Sequence, residues 1–277
     1  MKPKVKLLII DPQNDFMDQP ESALPVPGAT ASMQRLAQAI RDVGHRLDDI
    51  IVTMCFHSTI DIGHPYFWEN SAGEQPPKLM QITAEDLKNG VWRPRDRSLT
   101  KKYVDMAEQL EAKSQHKIMC WGEHCIPGTP GHNIQSDLMA ALQDWERTQH
   151  ARFELVAKGN NPYYEHYGAL AAEIEDPNDP TTMMNDRVLE MLANSTRIFV
   201  AGEEMNHCVR CTVRQITDNI GIEHLNKITL LTDCMDSLDA IPSVIDFPAM
   251  ATAWLQEQQQ LGLPLGTTDD MRTLLAV

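Results

Sequence analysis

The stretch "LLIIDPQNDF", residues 7–16, decides how the rest of the chain is read. Four consecutive apolar residues suit a strand buried on both faces, the kind found in parallel sheets. Asp11-Pro12 ends the run and leaves two carboxylates, Asp11 and Asp15, where the strand gives way to a turn. Asp11 then has two readings. As a turn residue it accepts backbone N–H groups while Pro12 fixes φ. As a catalytic acid it stands at the carboxyl end of a central strand, where open α/β sheets keep their sites.

Outward from this stretch, strand-like and helical runs alternate. Strands are expected at 6–10, 49–55, 117–120, 153–157, 197–202 and, as the last, 227–233. Helical spacing of apolar residues appears over 30–43, 136–145, 187–193, 208–217 and 248–261. Strands separated by helices imply parallel strands with crossover helices. That predicts an α/β fold, a three-layer α/β/α sandwich around a central, mainly parallel sheet. Two segments fall outside the rhythm: a polar, irregular insertion at about 65–115, and an acidic, proline-containing loop at 173–186. Loops of that length serve as lids or contact surfaces. The tail, 262–277, either packs on a neighbouring subunit or frays. With no internal repeat and no linker, residues 1–277 are expected to form a single domain.

Bulk properties exclude partners rather than name one. The 277 residues carry 39 acidic and 24 basic side chains, a net charge of −15, which argues against nucleic acid or an anionic membrane as partner. No apolar run approaches the roughly 20 residues of a membrane helix. The start, Met-Lys-Pro-Lys, enters a strand with no small-residue cleavage site, so the expected location is the cytoplasm. The six cysteines lack a framework spacing and are expected as core thiols, a metal ligand or a nucleophile.

Three groups carry chemistry. In "FVAGEEMNHCVRCTV" a strand ends at Gly202 and Cys208 falls in the first turn of the following helix. Such an N-terminus lowers a thiol pKa and can hold an oxyanion; the plainer reading is a small residue packing the helix start. Cys211, about one turn on, is assigned to the core. Lys158 follows another strand and either faces solvent or enters a pocket. Asp11, Lys158 and Cys208 thus converge at one edge of the sheet if all three point inward. "MCFHSTIDIGHPYFW" and "CWGEHCIPGTPG" supply Cys55, His57, His64 and His124, good zinc donors in no finger-like spacing. Cys55 and His57, at i and i+2, point to one side of an extended segment.

Together these stretches resemble the isochorismatase-like cysteine hydrolases, and within them the nicotinamidase-related branch. The motifs occur in that family's order: "DPQNDF" from Asp11, the metal-type stretch from Cys55 to His64, "WGEHCIPGTPG" from Trp121, "KGNNPYYEHYGA" from Lys158 and "GEEMNHCV" from Gly202. The resemblance implies a hydrolase acting on the C–N bond of a small amide, nicotinamide first among them. Asp11 is then the general base, Lys158 holds the thiolate, and Cys208 is the nucleophile that passes through a thioester. It also implies an oxyanion hole at the backbone N–H groups of Glu204 and Cys208, with a cis bond between Glu203 and Glu204. Phe16 and Trp121 match pocket aromatics. A divalent metal, zinc by ligand type, would be held by His57 and His124, with Cys55 where the family has Asp; His64 joins them or positions the insertion. Asp15 is read as structural. A small-molecule amide substrate and a homo-oligomer are the implied partners. A metal-free amidase for a carbamoyl or ureido substrate, and a non-catalytic binding protein on the same fold, are the alternatives.

Overall fold

The computed structural model describes residues 4–114 and 117–276. Residues 1–3 of the start, residues 115–116 at the end of the insertion, and Val277 of the tail lie outside the described residues. The opening run becomes strand β1 (Val5–Ile10), followed by α1 (Ala29–Val43) and β2 (Asp49–Cys55). The insertion supplies β3 (Trp68–Glu69), β4 (Met80–Ile82), α2 (Ala84–Lys88), β5 (Arg93–Pro94) and α3 (Thr100–Ser114), and β6 (Ile118–Cys120) follows it. Alternation resumes with α4 (Ser136–Gln149), β7 (Glu154–Lys158), α5 (Asp186–Ala193) and β8 (Arg197–Gly202). The chain closes with α6 (Arg210–Ile220), β9 (Ile228–Leu231), α7 (Phe247–Gln260), β10 (Leu265–Gly266) and α8 (Thr268–Leu275).

Six strands make one parallel sheet in the order β10-β9-β8-β1-β2-β7. Side chains alternate across it, which explains the unbroken apolar run of β1. Leu7 and Ile9 pack with α1, α4 and α8 on one face, through Met33, Leu36, Leu138, Leu142 and Met271. Leu8 and Ile10 pack with α5, α6 and α7 on the other, through Val188, Leu192, Val213, Ile216 and Trp254. The three-layer α/β/α sandwich expected from the alternation is therefore what forms. The chain leaves β1 toward β2 on one side and returns to β8 on the other, so the carboxyl end of β1 is a topological switch point.

Three expectations are corrected. The strand at 117–120 does not join the main sheet: β6 pairs antiparallel with β4, Ile82 opposite Ile118 and Met80 opposite Cys120. The insertion is not irregular. Tyr103, Met106, Ala107 and Leu110 form a helical stripe on α3 and bury with Phe67, Trp68, Ile82, Leu87 and Tyr164 in a satellite core. The tail does not fray over its described part. It adds β10 beside β9, so 227–233 is not the last strand, and then α8, whose Met271 and Leu275 bury in the α1 layer. A capping box starts that helix: the Thr267 side chain accepts from the Asp270 N–H, and the Asp270 carboxylate accepts from the Thr267 N–H. No helix among the described residues is long and apolar enough to cross a membrane.

Candidate active site

The register of the sheet sets the site. Ile10 pairs with Gly202, and Cys55 pairs with Lys158, so the carboxyl ends of β8, β1, β2 and β7 lie in one row. Gly202 permits the close approach: at φ +126°, a Cβ there would stand 2.0 Å from the Ile10 carbonyl oxygen. Asp11 leaves β1 at φ +45°, its N–H donating to the Thr53 carbonyl at 3.1 Å. Its carboxylate is fully buried. Thr53 Oγ1–H donates to Asp11 Oδ1 at 2.6 Å, and Lys158 Nζ lies 2.9 Å from Oδ2. Lys158 Nζ also donates to the carbonyls of His166 (3.1 Å) and Tyr167 (2.9 Å) and to Cys208 Sγ (3.2 Å). Cys208 lies in a single wide turn, Met205–Val209, that feeds α6. The structure thus brings Asp11, Lys158 and Cys208 together, with the ammonium between carboxylate and sulfur.

Burial and close neighbours shift both groups beside Asp11. Contact with the Cys55 thiol and burial push the Cys208 thiol well up, and Lys158 only partly opposes them. Burial opposes the Lys158 charge, yet Asp11 and Cys208 outweigh it and hold the amine well above its ordinary range. Burial and the neighbouring thiol thus favour the neutral form of Cys208 beside the Lys158 ammonium.

Cys55 is placed differently from its sequence expectation. Its sulfur donates to Asp11 Oδ2 at 3.4 Å and, among the described residues, groups with Asp11 and Cys208, not with the histidines. β2 ends at Cys55, and His57 lies in the loop beyond, so strand alternation no longer relates the two. A carboxylate that the sequence reading passed over takes the neighbouring place: Asp61 Oδ2 lies 3.0 Å from His57 Nδ1. Donor atoms of His57, Asp61 and His64 lie within 4.8 Å of one another, and His64 Nε2 is 3.2 Å from His124 Nδ1. Burial lowers the pKa of His64 and, well below its ordinary value, that of His124, so both are in the neutral form that binds metals. The buried His64 Nδ1 has no hydrogen-bond partner among the described residues. An imidazole and carboxylate set of this kind fits a divalent first-row ion.

A small, narrow cavity of about 40 Å³ opens over these groups. Phe16 and Trp121 line it, as do His57, His124, Lys158, Cys55 and Cys208. Gly63 and Glu204 also line it, with four residues not singled out in the sequence: Glu165, His166, Tyr167 and His207. Burial pushes the Glu165 carboxyl up to about 8, with the charges of Asp61 and Glu173 adding to it. The Glu203–Glu204 peptide is cis, as the resemblance implied. The Glu204 carboxylate accepts from the Asn206 N–H at 3.0 Å and contacts His207 Nδ1 at 2.6 Å, tying down the turn that carries Cys208. Asp15 accepts from the backbone N–H of Cys125 at 2.6 Å and of Ala23 at 3.2 Å, a loop-binding arrangement. Cys211 is fully buried in the core, as expected.

No family model and no curated protein matches the chain. Solved structures do. The yeast nicotinamidase Pnc1p bound to the inhibitor nicotinaldehyde is 18% identical, with a TM-score of 0.61 over 95% of this chain and 99% of that one. An Acinetobacter baumanii nicotinamidase/pyrazinamidase is 18% identical, with a TM-score of 0.61 over 98% of this chain and all of the other. The Pyrococcus horikoshii pyrazinamidase in complex with zinc is 18% identical, with a TM-score of 0.57 over 96% and 99% of the two chains. The chain has the fold shared by nicotinamidases and isochorismatase-family hydrolases.

Proposed function

We propose that the protein is a cysteine amidohydrolase that converts nicotinamide, or a close heteroaromatic amide, to the acid and ammonia. The observation that carries this reading is the interlocked Asp11–Lys158–Cys208 set, buried at the base of an aromatic-walled cavity. Asp11 takes the thiol proton of Cys208, and the Lys158 ammonium steadies the sulfur as it becomes anionic. The thiolate attacks the amide carbonyl carbon, and the oxyanion is held by the N–H groups of Glu204 and Cys208. Asp11 returns the proton to the departing nitrogen as the C–N bond breaks. Water, deprotonated by Asp11, then cleaves the thioester and releases Cys208. Phe16 and Trp121 sandwich the ring. His57, Asp61, His64 and His124 would hold a divalent ion, zinc by ligand type, and the ion would supply a Lewis-acid contact to a ring nitrogen. The nicotinaldehyde and zinc of the two neighbouring structures support both assignments.

The placement of Cys55 favours a second reading, a metal-free amidase for carbamoyl or ureido substrates, because the thiol joins the triad instead of the histidines. Ammonia release from nicotinamide by the purified protein, with and without a chelator, separates the two. Release that the chelator suppresses supports the metal-assisted reading; release that ignores it keeps the nicotinamide substrate and removes the metal; no release in either condition favours the second. Cys208→Ala should abolish release while the protein stays folded, and turnover by that variant would remove Cys208 as nucleophile.

A further inference from the structure

Cys55 has no part in the hydrolytic steps above, yet it shares the cavity with Cys208. The two sulfurs and an Asp11 oxygen lie within 4.8 Å of one another. All six cysteines are free, this neighbouring pair included. We propose that Cys55 and Cys208 form a reversible modification site: a small hydroperoxide oxidises Cys208, and Cys55 resolves the product as a disulfide.

The chemistry follows from the placement. Asp11 takes the Cys208 proton, and the thiolate attacks the outer oxygen of the hydroperoxide. The O–O bond breaks, an S–O bond forms, and the released alkoxide or hydroxide takes a proton to leave as alcohol or water. Cys208 is then a sulfenic acid. Cys55 already donates its S–H to Asp11 Oδ2 at 3.4 Å, so the same carboxylate can accept that proton. The Cys55 sulfur attacks the Cys208 sulfur, the S–O bond breaks, and hydroxide leaves as water. Two thiols lose two electrons, and the hydroperoxide accepts them. A disulfide needs its sulfurs about 2.05 Å apart. The present spacing leaves a gap of under about 3 Å for side-chain rotation to close. Lys158, 3.2 Å from Cys208 Sγ, favours anionic sulfur at the attacking step. A peroxide reaches the pair through the same cavity that admits substrate. The bridge removes the nucleophile, and a dithiol restores it, so Cys55 diverts Cys208 from irreversible oxidation.

A third thiol provides an internal competitor. Cys125 is buried against Cys55 and contacts its sulfur, but it does not line the cavity. The proposal therefore commits to the Cys55–Cys208 link and not to Cys55–Cys125.

The test is limiting hydrogen peroxide on the intact wild-type protein, read by intact mass and by peptide mapping without reduction. The expected product has lost the mass of two hydrogens, maps to Cys55 joined to Cys208, and returns to the starting mass with dithiothreitol. Cys55→Ser should instead gain the mass of two or three oxygens at Cys208 and stay there. Wild-type protein that accumulates the same oxygen adducts, or a bridge that maps to Cys125, would overturn the proposal. If Cys55→Ser does not fold, the wild-type map still decides. Mass is the readout, so failure of the amidase reading leaves the outcome unaffected.

Discussion

Asp11→Asn probes the centre of the site with almost no change of shape. The Lys158 ammonium is 2% exposed and Asp11 is fully buried, with 2.9 Å between them. Removing one partner of such a buried pair costs about 3–5 kcal/mol, because the remaining charge is left in a poor solvent. At about 2–4 °C per kcal/mol for a chain of this size, the midpoint of thermal unfolding should fall by roughly 6–20 °C. Turnover should fall about 10²–10⁴-fold, the usual worth of a positioned base. The pH dependence has a definite sign. Asp11 and Cys208 raise Lys158 above its ordinary 10.5, so its share of the stability is fully present below that value and is lost as pH rises through the folded pKa. The gap between wild type and variant should therefore hold through neutral pH and close only above about 10.5. Thermal melts of Asp11→Asn, Lys158→Met and the double variant across pH provide the assay. The double variant should lose far less than the two singles together. Losses that add to within about 0.5 kcal/mol would show the two groups do not act as a pair.

Other expectations are more local. Asp61→Asn should lower the amount of zinc that co-purifies and weaken zinc affinity in a competition titration with a chelating dye; unchanged stoichiometry and affinity would take Asp61 out of the ligand set. In chelated protein, Glu165 keeps a proton that the unfolded chain releases, so stability should fall as pH rises from 4.5 to about 8. The fall is worth roughly 5 kcal/mol at most. Glu165→Gln should flatten it, and equal urea midpoints for wild type at both ends of that window would refute the shift. Met271→Ala should cost about 2–5 kcal/mol in urea unfolding. A cost under about 0.5 kcal/mol would mean the tail does not pack where α8 lies.

What the sequence disclosed follows from where the information is local. Residues 7–10 declare a doubly buried strand by themselves, and the polar groups at parallel strand ends share an edge for topological reasons. Asp11, Lys158 and Cys208 could therefore be brought together without a structure. The histidine cluster could not be completed that way. The i, i+2 rule that coupled Cys55 to His57 stops where β2 stops, and Asp61 reaches His57 along a loop path that no periodicity encodes. On α3, the stripe from Tyr103 to Leu110 is diluted by the lysines and glutamates of its outer face, and its partners Phe67 and Tyr164 are distant in the chain. β6 has only three residues, and its pairing depends on β4 being presented from the insertion. The tail's two anchors, Met271 and Leu275, amount to a single helical turn of pattern.

The satellite core has a mechanical consequence. It joins α3 to the loop after Lys158: Tyr164 buries in it, and Tyr103 Oη–H donates to the Tyr163 carbonyl at 3.3 Å. Two and three residues further along that loop, the carbonyls of His166 and Tyr167 grip the Lys158 ammonium. A displacement of α3 would therefore reach the Lys158 ammonium along a few bonds of loop. The sheet sets which groups meet, and the satellite core, a roof over them, sets how firmly the lysine is held. Opening the roof would loosen the grip on the lysine and widen the entrance in one movement, coupling access to reactivity.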